Sequence, residues 1–112
     1  MTEIQNKKRY DLEDRTLAFA KAVVKYVSKL AKTTVGFEVG KQVLRSAGSI
    51  GANYIEANES LSKKDFVMRI KICRKEAKET CYWLNILEEN GPLLQEATEF
   101  TKIFGAILEK SV

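Results

Sequence analysis

Glu76 and Glu79 stand three residues apart, on one face of any helix that contains them, and Glu56 is a third carboxylate that such a helix could meet. Converging, the three would supply oxygen ligands for a divalent cation and the acid and base of a metal-assisted reaction. They would have little help. The chain has no histidine, so it lacks the commonest general base and the commonest metal ligand together. Neither a GxxxxGK[ST] phosphate loop nor a GxGxxG turn occurs. Cys73 and Cys81 lack metal-ligand spacing, and in a straight helix they lie too far apart for a disulfide; both are read as reduced thiols that pack. No cofactor or metal is expected, and the chain is read as non-enzymatic.

Cations are the other chemistry on offer. Lys21, Lys25, Lys29 and Lys32 recur at spacings of four, four and three, a ladder along one side of a helix. Such a ladder is either a solvated face or a track for phosphates, because lysine supplies non-directional charge suited to sequence-independent contact. Arg69, Lys71, Arg74 and Lys78 form a second basic set, with Lys63, Lys64 and Lys75 beside them. Glu76 and Glu79 lie among these and can pair with Lys and Arg one turn away. Net charge is only +4, but it is segregated: +6 over residues 15–45, +5 over 63–78 and −4 over 79–112. That pattern suits a polyanionic partner or head-to-tail self-complementarity, and solvated helix faces would produce it too.

The elements that carry these groups read as helical almost throughout. With 112 residues, 45% hydrophobic and 30% charged, the chain is one domain, 1–112, large enough to hold a core without a disulfide or metal. No apolar run approaches the roughly 20 residues of a membrane span. The N-terminus has no apolar core of a secretory signal, so no membrane role and a cytoplasmic location are expected. Residues 1–10 show no periodicity and are read as a loose arm with a basic cluster at Lys7, Lys8 and Arg9. Helix 1 is predicted over about 12–32, with Leu12, Phe19, Ala20, Val23, Val24, Val27, Leu30 and Ala31 facing in.

Helix 2, predicted over about 37–58, organises the rest. Val43, Ala47, Ile50, Tyr54 and Ala57 form one apolar stripe, and Leu44, Gly48, Gly51 and Ile55 a second beside it. Two glycines inside a helix cost about 1 kcal/mol each against alanine, so they signal another backbone close by. With so few charged positions, this helix should be covered on more than one side, by a neighbouring copy as well as by its own chain. Its polar row, Arg45, Ser49, Asn53 and Glu56, must find partners and is read with Glu76 and Glu79 as a structural network. Helix 3 is predicted over about 63–89, capped by Ser62 with Asp65, stopped by Asn90-Gly91-Pro92, and facing in with Phe66, Ile70, Cys73, Ala77, Thr80 or Cys81, Leu84 and Leu87. Tyr82, Trp83 and Ile86 lie off its inward stripe and suit a subunit contact or, alternatively, base stacking. Helix 4 is predicted over about 93–110.

The segment from Arg45 to Gly91 also resembles a family. Arg45, Ser46, Ala47, Ser49, Ile50, Ala52, Asn53 and Glu56 match one of its motifs, R-[AS]-A-x-S-I-x-A-N-I-x-E-G, with departures at Tyr54 and Asn58. Lys63, Asp65, Phe66, then Lys75, Glu76, Ala77, Glu79, Thr80, Tyr82, Trp83 and Leu84 match the other, K-x-D-F followed by K-E-A-x-E-[ST]-x-Y-W-L. The family is that of four-helix bundle proteins encoded in intervening sequences of bacterial 23S ribosomal RNA genes, also called the S23 ribosomal protein family. The resemblance implies an all-α, up-down-up-down antiparallel four-helix bundle assembling into a homopentameric ring. Related accessory proteins of diversity-generating retroelements are basic barrels that bind nucleic acid and a reverse transcriptase. By that likeness Lys21, Lys25, Lys29, Arg69, Lys71, Arg74 and Lys78 would bear phosphate contacts. Two functions follow as expectations: a homo-oligomeric binder of RNA or DNA, structured RNA first, or an oligomeric protein scaffold with a seam at Tyr82, Trp83 and Ile86.

Overall fold

Four helices, α1 (Glu3–Ser28), α2 (Thr34–Asn58), α3 (Lys63–Ile86) and α4 (Pro92–Lys110), make up the computed structural model. It describes the backbone of residues 3–111 and the side chains of residues 11–111. No strand occurs among the described residues, and the body measures 48 × 23 × 21 Å. None of these helices is long and apolar enough to cross a membrane.

The helix ends show local chemistry overruling periodicity. α1 begins at Glu3, inside the stretch read as a loose arm; residues 3–11 contain no Gly or Pro and are rich in helix-forming Glu, Gln, Lys and Arg. Met1, Thr2 and the side chains of Lys7, Lys8 and Arg9 lie outside the described residues. α1 ends at Ser28, four residues before the predicted end. There the Ser28 hydroxyl donates to the Lys25 carbonyl, and Lys29 N and Leu30 N donate to the Tyr26 and Val27 carbonyls, tightening the last turn. Lys29 and Lys32 therefore lie past the helix, and only Lys21 and Lys25 of the ladder are on it.

α2 starts early because Thr33 caps it, its hydroxyl accepting from Gly36 N at 3.1 Å. Gly36 has no alternative here: a Cβ would stand 2.1 Å from the Ala31 carbonyl oxygen. At α3 the Ser62 hydroxyl accepts from Asp65 N at 3.1 Å, the cap read from sequence. α3 stops three residues sooner than Asn90-Gly91-Pro92 suggests. Glu89 N donates back to the Leu84 carbonyl and Glu88 N to that of Asn85, a Schellman closure with Glu88 left-handed at φ 58°. Pro92 then opens α4, in the one turn where its missing N–H is harmless.

Packing follows a seven-residue rhythm. Val43, Ala47, Ile50, Tyr54 and Ala57 are buried on α2, and Ile70, Cys73, Ala77, Thr80 and Leu84 on α3, at alternating spacings of three and four. Phe19 and Val23 of α1 and Ala97, Phe100 and Phe104 of α4 complete the core. Phe100 is its centre, edge-on to Phe19 at 5.4 Å and stacked with Phe104 at 6.2 Å; Phe104 in turn meets Tyr54 at 5.8 Å. Val24 and Ala31, expected to face in, are exposed, and the place of Val24 at the seam is taken by buried Thr16 and Val23. Thr16 is accommodated because its hydroxyl donates to the backbone of its own helix, to the Leu12 carbonyl at 2.8 Å.

α1 packs on α2, α2 on α3 and α3 on α4, while α4 meets α1 over a smaller area. Gly40 lies against Val27 and Gly51 against Thr16; Ser46 meets Thr80, and Asn53 meets Arg69; Cys81 meets Thr98, and Arg74 approaches Gly105. In each pair the residue number rises along one helix as it falls along the next. The left-handed Glu88 generates a prediction: a non-glycine residue there costs about 1 kcal/mol, so Glu88→Gly should raise the free energy of urea unfolding by roughly that amount, and an unchanged midpoint would refute it.

Candidate functional site

The polar row of α2 and the carboxylates of α3 come together across one seam. Arg45 Nη1 donates to both oxygens of Glu76 at 3.3 and 3.4 Å, its Nη2 to Glu79 at 3.2 Å, and its Nε to Gln42 at 3.3 Å. Glu76 and Glu79 thus pair with α2 rather than with the cations one turn away on α3. About two helical turns along, Arg69 Nη1 donates to Asn53 Oδ1 at 3.0 Å, and Asn53 Nδ2 to the Ser49 carbonyl at 2.8 Å. Ser49 bonds back to the Arg45 carbonyl of its own helix, and the Glu56 side chain lines a hollow with Arg69, apart from the Arg45 group. No three His, Cys, Asp or Glu side chains gather into a metal-binding set among the described residues.

Three features of the seam went unread in the sequence. Gln42 completes the donors of Arg45. Ser46 and Thr80 place their hydroxyls 2.8 Å apart in the buried interior, the Thr80 hydroxyl also reaching the Glu76 carbonyl. Cys73 donates its thiol to the Ile50 carbonyl at 3.5 Å, and burial pushes that thiol up to about 12, leaving it unreactive. Cys73 and Thr80 stand on the inward stripe of helix 3, but spacing that buries a side chain does not say what it will hydrogen-bond, and Gln42 and Ser46 lie outside the apolar stripes of α2.

Glu76 is 7% exposed, and burial, with its hydrogen bond to Glu79, raises its pKa above 4.5 although Arg45 pulls the other way. Glu79 is held below 4.5, first by the Glu76 hydrogen bond and then by Arg45. A raised acid contributes stability below its unfolded pKa and loses it as pH climbs through the folded value. Glu76→Gln should therefore gain on the wild type in urea-unfolding free energy as pH rises from 4.5. Glu79→Gln should lose on it across the same range. Parallel pH profiles for wild type and Glu76→Gln would refute the assignment.

On the second stripe of α2 the two glycines differ. A Cβ on Gly51 would stand 2.9 Å from Thr16 Oγ1 and 3.2 Å from Thr16 Cβ, so α1 is the backbone its absence admits. Among the described residues, no atom beyond its own stretch of helix lies within 4 Å of a Cβ on Gly48, and Leu44 and Ile55 beside it are 37% and 50% exposed. The stripe is half covered by its own subunit. Gly51→Ala should destabilise by about 1–3 kcal/mol through overpacking, and Gly48→Ala should stabilise a lone subunit by about 1 kcal/mol, both read by thermal unfolding. A destabilising Gly48→Ala would mean that a second molecule occupies the space.

The cations do not form one surface. Lys21, Lys25, Lys29 and Lys32 are exposed and close no ion pair among the described residues. Lys71, Arg74 and Lys78 are exposed on α3, with Arg74 turned toward α4, whereas Arg69 is half-buried and turned toward α2. Tyr82 and Ile86 are exposed; Trp83 is half-buried, edge-on to Tyr82 at 5.2 Å, and its buried indole N–H has no acceptor among the described residues.

The family model of the 23S rRNA-intervening sequence protein matches residues 8–107. A crystal structure of a protein of unknown function from the S23 ribosomal protein family of Bacteroides thetaiotaomicron superposes with a TM-score of 0.81. The two sequences are 34% identical over 91% of this chain and 98% of that one. No curated protein matches. The match over nearly the whole length, on the helices that form the polar seam, means that this chain belongs to the 23S rRNA-intervening sequence protein family.

Proposed function

We propose that the chain is a non-enzymatic, cytoplasmic nucleic-acid-binding protein, acting on structured RNA as a homo-oligomer. The supporting observation is the first basic segment: Lys21, Lys25, Lys29 and Lys32 are all exposed and none closes an ion pair among the described residues. Unpaired lysines on a folded scaffold bind phosphates by counterion release, with little reading of sequence. Lys71, Arg74 and Lys78 would add contacts from another face, and Arg69, occupied by Asn53, would not.

The opposed numbering of the packed pairs supports an up-down-up-down antiparallel bundle, and the uncovered flank at Leu44, Gly48 and Ile55 supports assembly of several copies into a ring, with five as the expected number. Repetition around a ring would multiply weak single contacts by avidity. Leu17, Val24 and Phe37 are exposed as well as Leu44 and Ile55, apolar area on α1 and α2 whose burial would favour assembly. That observation also supports the second reading, a protein scaffold without nucleic acid.

Retention of a labelled structured RNA on a filter, measured against salt, separates the two. The nucleic-acid reading expects affinity to fall steeply with salt, Lys25→Glu with Lys29→Glu to abolish retention at low salt, and the logarithmic salt slope to drop by about one per lysine. Unchanged retention rejects this face, and no salt-sensitive binding, with a light-scattering mass well above 12.7 kDa, leaves the scaffold.

A further inference from the structure

The start of α3 carries a feature that the nucleic-acid reading does not use. Lys63, Lys64 and Lys71 rim a hollow of 490 Å³ whose floor is Val67 and Met68. All of its lining lies on α3, so it is an open depression that an extended segment can cross, and the half-exposed Met68 is an adaptable apolar surface. None of the three lysines closes an ion pair among the described residues. The hollow adjoins the C-terminal turn of α2, whereas Lys29 and Lys32 follow α1 beside the start of α2, toward the opposite end of the body.

We propose that this hollow docks a short acidic segment of a protein partner, its carboxylates reaching the three lysines and one bulky aliphatic side chain covering Val67 and Met68. Charge and shape select this occupant. A phosphate backbone has no use for an aliphatic floor, and stacked bases need aromatic or guanidinium planes, which the hollow lacks. The far side of Met68 opens on a second hollow where three carboxylates, Glu56, Glu59 and Asp65, stand against the single guanidinium of Arg69. An anionic membrane or a long nucleic acid broad enough to cover the lysines would meet those carboxylates as well; a short peptide lies on the lysine side alone.

The test uses the full chain and a short fluorescein-labelled peptide of glutamates with two leucines one helical turn apart, followed by anisotropy. Lys64→Glu and Met68→Ser, both at exposed positions, should each weaken binding about tenfold, close to the loss of one good contact. Lys25→Glu should leave peptide affinity unchanged, so the failure of either site is visible separately. A Lys63→Glu, Lys64→Glu, Lys71→Glu variant should lose the glutamate peptide and accept one with lysines in place of its glutamates, which a merely unfolded variant would not do. The proposal is overturned by absence of peptide binding, by equal binding of the peptide with serine for leucine, or by an oligouridine or phosphatidylserine vesicle that displaces the peptide and is itself weakened by Met68→Ser.

Discussion

The closeness of α2 and α3 is the constraint on which the rest depends. Ser46, Ala47, Cys73, Ala77 and Thr80 are all small and all buried, so the two backbones approach until a thiol on one reaches a carbonyl on the other. Polar atoms at that depth must be paired, and they are: hydroxyl to hydroxyl, thiol to carbonyl, and at the rim Arg45 to two carboxylates. The pairing also fixes register. A slide by one helical turn would strand Glu76 without Arg45 and Arg69 without Asn53, and a buried unpaired charge costs far more than the apolar contacts such a slide would keep.

That constraint explains why the family motif is polar where it is. Arg45, Asn53, Glu76 and Glu79 would be decoration on a helix that stood alone; across the seam Arg45 holds Glu76 and Glu79, and Asn53 holds Arg69. It also removes Arg69 from the basic surface and sets Glu56 apart from the other carboxylates. The chemistry that the sequence offers to a metal is taken up by an arginine.

Much of this was legible in advance, and the misses have physical causes. Burial of Val43 to Ala57 and Ile70 to Leu84 followed from spacing, because a seven-residue rhythm has one geometric meaning. Helix ends were less legible. Thr33 reads as a breaker until its hydroxyl is seen to cap, and Glu88 gives no warning that it will turn left-handed. The lysine ladder was over-read for the same reason: equal spacing implies a face only while the helix continues, and α1 stops at Ser28. Gly48 and Gly51 looked alike in sequence, yet Gly51 answers to Thr16 and Gly48 to open space.

The narrow contact between α1 and α4 has a further consequence. Across it Arg15 holds Glu96 in a bidentate pair with both distances at 2.7 Å and sits 5.3 Å over the Phe100 ring, so one exposed side chain does much of the fastening. A four-cornered body with three broad sides and one narrow one has least packing to lose along the narrow side, so local opening costs least where α1 meets α4, above Phe100.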